Sequence, residues 1–183
     1  MEQLSFNSLT RREIWESKEL EAFEIIEPHL KKVLLNDNLS PNNVFFWQST
    51  AETAQFSSVY AFNENNLLTR ISFRGKQPYI SLSSRFENLV PSDVEIIKRK
   101  SDNDYFRIPI ESPESIANFI DLFCEILDIL IDAYPTEFGC CSRFVECSNE
   151  RKCIHPDQKM ALRCAYRKNL KKGKIFYGAN KNA

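Results

Sequence analysis

Hydrophobic and polar positions repeat with two different periods along this chain, and the first period is helical. Residues 10–35 carry apolar side chains at helical spacing and follow Thr10, a possible N-cap. The pattern predicts an amphipathic helix over these residues. Pro28 lies inside the helix and should break or kink it, which would leave a second short turn over residues 29–35.

The middle of the chain has the pattern of a half-buried sheet. Its runs rich in aromatic and β-branched residues predict six strands: Val44–Ser49, Ser58–Phe62, Leu67–Phe73, Tyr79–Ser83, Val94–Lys98 and Tyr105–Ile110. Polar turns at residues 63–66 and 74–78 favour an antiparallel meander. Alternation within the third strand predicts one buried face and one wet face. Leu68, Arg70 and Ser72 lie on one of these faces, and Thr69, Ile71 and Phe73 lie on the other.

A second helix is predicted after Ser112-Pro113-Glu114-Ser115, because proline suits a first helical turn. Between Ile116 and Tyr134 the polar residues form one narrow, mainly acidic stripe, and the rest of the surface is apolar. The stripe consists of Asn118, Asp121, Glu125, Asp128 and Asp132. We therefore expect a long buried helix, with Cys124 in the core and the stripe either solvated or bound to a partner.

Length and composition limit the class of protein. The 183 residues are 43% hydrophobic, which suits one domain or one domain with a small appendage. MEQLSFNSLT has no secretory hydrophobic region, so we expect a cytoplasmic protein. The apolar run at 116–134 is interrupted by acidic residues, so no membrane span is predicted.

Charge is distributed unevenly along the chain. The formal net charge is only −1, but from Glu150 onward ten Lys or Arg stand against two acidic residues, Glu150 and Asp157. The first part of the chain is correspondingly acidic. This asymmetry indicates an anionic partner for the tail.

Five of the six cysteines lie between residues 138 and 164. In a reducing compartment, clustered cysteines favour metal ligation over disulfides. The expected ligands, separated by five, five and ten residues, are Cys141, Cys147, Cys153 and Cys164. A bound metal would supply folding free energy to so polar a segment, about 10–16 kcal/mol for structural zinc in small peptides.

The identity of this metal stays open. Zinc modules usually present ligands as closely spaced pairs, whereas wider spacing suits an iron–sulfur cluster of the four-iron, 4Fe–4S type. Zinc is the alternative, and reduced structural cysteines without metal are a third reading. Cys140 or His155 could replace one of the expected ligands.

The end of the chain predicts a basic helix from Pro156 to about Lys172, on which Cys164, Arg167 and Lys171 share a face. Cations can neutralise phosphates, and interleaved aromatic side chains can stack on bases. The candidate contacts to DNA or RNA are Arg151, Lys152, Arg163, Arg167, Lys168, Lys171, Lys172 and Lys174. A solvated basic helix, or a surface facing the protein's own acidic half, is the structural alternative.

Catalysis is not predicted. The chain has two histidines and no motif that would support a hydrolase triad. Asp93, Glu95 and Lys98 have the residue types of metal-dependent nucleases but not their spacing, and suit an exposed strand edge better.

Two stretches resemble known families. YFRIPIESPESIANFIDLFCEILD, residues 105–128, resembles the strand–Ser-Pro-Glu–helix junction of a bacterial sheet-plus-helix domain family of unknown function, sometimes labelled a predicted transport protein. The tail from Cys140 to Gly178 is similar to cysteine-rich ends of uncharacterised bacterial and phage proteins, some of them joined to exonuclease-like domains. No exonuclease acidic motif is present, so that activity is not implied.

These observations predict an α+β protein with an N-terminal helix, an antiparallel sheet, a long buried helix and a C-terminal cysteine-ligated metal or iron–sulfur module. The expected division is an α+β domain over residues 1–135 and a basic, cysteine-rich module over 136–183. The predicted function is that of a nucleic-acid-binding accessory protein whose cluster holds the binding surface. The alternatives are a protein-binding regulator or phage-encoded inhibitor of a nucleic-acid enzyme, and a redox or iron sensor.

Overall fold

The first element is a long helix that begins at a complete capping box. The structure, a computed structural model, describes residues 10–37, 39–49, 51, 53–62 and 66–133, together with the backbone of residues 173–176. Helix α1 (Arg11–Asn36) follows Thr10, whose hydroxyl accepts a hydrogen bond from the Glu13 N–H at 3.2 Å. The Glu13 carboxylate accepts one from the Thr10 N–H at 2.6 Å. Two N–H groups that helix geometry leaves unpaired are thereby satisfied.

Helix α1 is continuous through Pro28, so the predicted break is wrong. A proline inside a helix leaves one backbone carbonyl without its N–H donor, and it destabilises the helix least where that carbonyl can bind water. Pro28 is exposed, and so is Glu24, which supplies that carbonyl one turn earlier. The opposite side of the helix holds it in place, with Phe23, Ile26 and Leu30 fully buried in the core.

Six antiparallel strands of the described residues form one sheet. They are β1 (Val44–Ser49), β2 (Ser57–Ala61), β3 (Leu67–Ser72), β4 (Tyr79–Ser83), β5 (Tyr105–Pro109) and β6 (Gly173–Phe176), in the order β5-β4-β3-β2-β1-β6. The first five confirm the predicted meander. The sequence analysis did not predict β6, which pairs with β1 and places Lys174 opposite Gln48. The proposed domain boundary at residue 135 stays a prediction.

The predicted strand Val94–Lys98 is wrong. It pairs with the sheet through a single bridge between Ile97 and Arg107, with backbone hydrogen bonds of 2.8 and 2.9 Å. The chain enters the segment through a turn in which the Val94 N–H donates to the Pro91 carbonyl. It leaves through a short 3₁₀ helix, Lys100–Asp102. Turns on both sides therefore limit pairing along this edge to one residue.

The alternation predicted for β3 holds only in part. A β-bulge opposite Val59 and Tyr60 adds one residue to β3. Leu68 consequently joins Ile71 in the core instead of sharing a face with Arg70. Of the three residues predicted to share that face, only Arg70 is partly exposed, because Ser72 is also buried.

The core lies between the sheet and a single layer of helices. The predicted second helix begins as a 3₁₀ helix, Pro113–Phe119, and continues as α2 (Ile120–Ala133). Both helices and the 3₁₀ segment contact one another, and α1 also packs on the strands. The Phe23 and Phe46 rings stack at 5.1 Å at the centre of this layer. The structure is therefore α+β, as predicted.

Helix α2 is amphipathic, as its acidic stripe predicts. Leu122, Phe123, Ile126, Leu127 and Leu130 are buried, whereas Asp121, Glu125, Asp128 and Asp132 are exposed. Cys124 is partly buried and packs against the core. Burial, followed by the nearby Asp128 and Asp121, raises the pKa of its thiol, as a structural cysteine requires.

Candidate functional site

The residues predicted to bind metal lie outside the described part of the chain. Cys141, Cys147, Cys153 and Cys164 belong to this set, as do the alternative ligands Cys140 and His155. Among the described residues, no group of three or more His, Cys, Asp or Glu is placed to hold a metal ion. The metal module therefore stays a prediction.

Most of the predicted nucleic-acid contacts also lie outside the described residues. They are Arg151, Lys152, Arg163, Arg167, Lys168, Lys171 and Lys172. Lys174 lies on β6, at the edge of the sheet next to β1. The structure thus describes the backbone of residues 173–176 at this edge, and the nucleic-acid contacts stay a prediction.

A second, unpredicted site lies on the face of the sheet opposite the helices. Arg70 of β3 pairs with Ser81 of β4, and Ser81 pairs with Arg107 of β5. Residues directly opposite one another on neighbouring strands point to the same face, and alternate residues of a strand also share a face. The two arginines therefore lie in one row with a serine between them, and Tyr79 and Tyr105 lie beside that row.

The neighbouring row confirms this orientation. Ile71 pairs with Ile80, and Ile80 pairs with Ile108. All three isoleucines belong to the core beneath the helices. The face that carries Arg70 and Arg107 is therefore the outer face of the sheet.

The two arginines, together with Tyr79 and Tyr105, surround a recess of about 350 Å³ on the outer face. Its floor and walls come from β3, β4 and β5, from the segment before β2, and from the turn before β5. Besides the two arginines and two tyrosines, the lining includes Gln55, Phe56, Ser81, Asp102 and Asn103. Such a volume falls in the range of small-molecule sites.

Both arginines are packed against aromatic rings. The guanidinium carbon of Arg70 lies 3.9 Å from the centroid of the Tyr105 ring and 4.5 Å from that of Phe56. The guanidinium carbon of Arg107 lies 4.1 Å from the centroid of Tyr79. Contacts of this kind hold the cation by the electron-rich face of the ring and restrict a flexible side chain.

Arg107 has a carboxylate partner. Its Nε and Nη2 atoms donate hydrogen bonds to the two carboxylate oxygens of Asp102, each at 2.6 Å. This bidentate pair lowers the pKa of Asp102 and raises that of Arg107, in both cases mainly through the hydrogen bonds. Asp102 ends the 3₁₀ turn, and Asn103 reverses the chain at a φ of 51°, a conformation that asparagine tolerates better than most residues.

Arg70 has no such partner within the described part of the chain. Its contacts there are with the two rings, and neither a carboxylate nor a carbonyl accepts from its N–H groups. The described lining of the recess therefore contains two fixed cations and one anion, and within it Arg70 is the cation without a carboxylate partner.

A buried ion pair fixes the wall that carries Gln55 and Phe56. Arg74 donates to both carboxylate oxygens of Glu19 on α1, at 2.9 and 2.8 Å. It also donates to the Ala54 carbonyl at 2.7 Å, and the Ser72 hydroxyl donates to the Gln55 carbonyl at 2.7 Å. The segment between β1 and β2 is thus tied to the helix and to the end of β3.

The recess was not predicted from the sequence. The single usable signal was Arg70, a charged residue in the middle of a strand predicted to have one wet face. Tyr79, Tyr105 and Arg107, which line the recess with it, come from two other strands. Only the pairing register brings these residues together, and composition and spacing do not specify that register.

Comparison with known proteins finds nothing similar to this chain: no family model, no curated protein and no solved structure matches it. Among the helices that the structure describes, none is long and apolar enough to cross a membrane. Because no similar protein suggests a function, we infer one from the geometry and chemistry of the outer face of the sheet.

Proposed function

We propose that the protein is an accessory factor that binds single-stranded DNA or RNA across the outer face of its sheet. The observation that carries the proposal is the row of two arginines packed on three aromatic rings in one recess. Single-strand binding proteins combine cations that follow the phosphates with aromatic faces on which bases stack. This recess supplies both kinds of group on a sheet.

The basic C-terminal residues extend the proposed surface. The tail from residue 150 carries ten Lys or Arg, and residues 173–176 within it form β6, which pairs with β1. In the proposal Cys141, Cys147, Cys153 and Cys164 bind an iron–sulfur cluster, with zinc as the alternative, and this metal holds the basic segment in place. Thiolates accept either metal, and the spacing of the four favours the larger iron–sulfur core.

Fluorescence anisotropy with labelled single-stranded DNA and RNA oligonucleotides tests this function on the full chain. Affinity should rise with oligonucleotide length and then level off. The logarithm of affinity should fall with the logarithm of salt concentration, with a slope of about −0.7 per neutralised phosphate. Absence of salt-dependent binding to both DNA and RNA would overturn the proposal.

Tyr105→Leu tests the role of the aromatic surface. The substitution keeps an apolar side chain at the position and removes the ring face, so it should weaken single-strand binding by about 1–3 kcal/mol for one stacked base. Binding to duplex DNA, whose bases are already stacked, is the control and should change little. Equal losses with single-stranded and duplex DNA would argue against stacking at Tyr105.

Protein binding is a second candidate function, and the acidic side of α2 favours it. Asp121, Glu125, Asp128 and Asp132 are all exposed along one side of the helix. Partial burial, followed by the nearby Asp37, Asp132 and Glu125, raises the pKa of Asp128. A basic partner would relieve this crowding of like charges. A partner captured in a pull-down that survives nuclease treatment and is lost in Asp128→Lys would support this second function.

A further inference from the structure

Arg70 is prepared to bind a ligand through its N–H groups. Contacts with Tyr105 and Phe56 hold the guanidinium in place, and no described residue accepts a hydrogen bond from it. A guanidinium has five donors in a rigid fork that matches the oxygen atoms of phosphate or carboxylate. Arg70 is thus a fixed cation whose donor groups are not used by any residue that the structure describes.

We infer that the recess binds one nucleotide, with Arg70 donating a bidentate pair of hydrogen bonds to its phosphate. This inference rests on the proposed function for the identity of the ligand, but it concerns a single nucleotide site that a mononucleotide can fill. Binding at this site does not require a long strand.

The charges of the recess favour an anion at Arg70 rather than at Arg107. Arg107 already donates to both oxygens of Asp102, and an incoming anion would have to displace that carboxylate. Arg70 has no competing anion among the described residues. The net charge of this group of three side chains is positive by one, so the group attracts an anionic phosphate.

The remaining lining favours a nucleotide over inorganic phosphate alone. A recess of about 350 Å³ exceeds what one phosphate needs and lies at the lower end of the range of small-molecule sites. Phe56, Tyr79 and Tyr105 each have one ring face against a guanidinium, so a base would stack on the opposite face of one of these rings. The side chains of Gln55 and Asn103 can both donate and accept hydrogen bonds at the edge of a base or on a sugar.

The inference is tested by titrating the full-length protein with adenosine and uridine monophosphate, the matching unphosphorylated nucleosides and inorganic phosphate. Calorimetry should give the tightest binding for a monophosphate, because ring contacts and phosphate contacts are then made together. Arg70→Met should weaken that binding about tenfold to a hundredfold, since a hydrogen bond to a charged group is lost. Arg70→Lys should be intermediate, because it keeps the charge and loses the fork.

Arg85→Met is the matched control. Arg85 is an exposed arginine whose guanidinium carbon lies 4.5 Å from the centroid of the Phe86 ring, outside the recess. Its substitution removes the same charge from a similar ring contact and should leave monophosphate affinity unchanged. In the unsubstituted protein, nuclear magnetic resonance shifts on titration should centre on Ser81, Asn103 and Tyr105, which keeps the test valid if a variant folds poorly.

Failure of this inference can be told apart from failure of the proposed function. Oligonucleotide binding without monophosphate binding, and with Arg70→Met unchanged, would overturn the nucleotide site and leave the function standing. Monophosphate binding that depends on Arg70, without binding to any DNA or RNA oligonucleotide, would support the site and remove the function. Equal affinity for inorganic phosphate and monophosphate would overturn the assignment to a nucleotide.

Discussion

The buried ion pair between Arg74 and Glu19 gives the sharpest prediction about stability. The side chain of Glu19 is fully buried, and that of Arg74 is 7% exposed. Glu19 also accepts a hydrogen bond from the Ser57 hydroxyl at 2.5 Å. Arg74→Met keeps much of the apolar stem and removes the cation, so a carboxylate is left in the core without its charged partner.

Removing one partner of a buried pair typically lowers the free energy of unfolding by about 3–5 kcal/mol. A domain of this size is stable by about 5–15 kcal/mol, so Arg74→Met should remove a large part of that stability. Combining it with Glu19→Met should recover part of the loss, because the double variant buries no unpaired charge. The hydroxyl of Ser57 would then lack its acceptor, which limits the recovery.

Urea unfolding followed by tryptophan fluorescence measures this effect, and Lys98→Met is its control. Lys98 and Glu87 form an ion pair at 2.7 Å, but their side chains are 62% and 38% exposed. Exposed pairs contribute about 0–1 kcal/mol. If Arg74→Met and Lys98→Met lower the free energy of unfolding by similar amounts, the reasoning is refuted, because burial of the pair would then make no difference to stability.

Three further predictions concern other parts of the molecule. The ion pair with Arg107 lowers the pKa of Asp102, so it stabilises the fold at pH values above the ordinary aspartate pKa. This stabilisation is lost as the pH falls through the lowered pKa of Asp102. Asp102→Asn should therefore remove this part of the acid dependence of the unfolding midpoint. Phe46→Ala should lower the free energy of unfolding in urea by about 3–5 kcal/mol, whereas Ile129→Ala, at a position 40% exposed, should change it by at most about 0.5 kcal/mol. Anaerobically purified protein should contain iron and acid-labile sulfide, or zinc, and elemental analysis should show that Cys147→Ser loses this metal while Cys124→Ser retains it.

Local pattern was sufficient for the elements that local chemistry determines. Thr10 and Glu13 specify the start of α1 without help from distant residues. The runs from Val44 to Ser49 and from Tyr105 to Pro109 pair as strands because β-branched and aromatic residues there have a core to cover. The acidic stripe of α2 could also be predicted from the sequence, because it depends only on helical spacing.

The failed predictions depended on the tertiary environment. Pro28 is tolerated because its side of the helix faces water, which the sequence does not reveal. The bulge that moves Leu68 into the core depends on how β2 and β3 pair. Val94–Lys98 has a strand-like composition, but turns on both sides leave it one bridge to β5.

The recess was missed for a related reason. A tail with ten basic residues can be recognised from the sequence alone. The sequence does not show that two arginines separated by 36 intervening residues are neighbours in the fold. Arg70 and Arg107 meet only because Ser81 lies between them in the pairing register. A small residue at that position leaves room above the sheet for both long side chains.

The placement of charge around the sheet is consistent with an anionic strand on its outer face. The exposed carboxylates of α2 lie in the helical layer, whereas Arg70 lies on the other side of the sheet. A polyanion is repelled from the first surface and attracted to the second, which limits the ways in which it can approach. From β3 to β6 there are three strand spacings, or roughly 14 Å. A strand bound at Arg70 and directed across β2 and β1 would therefore reach the β6 edge of the sheet within a few nucleotides.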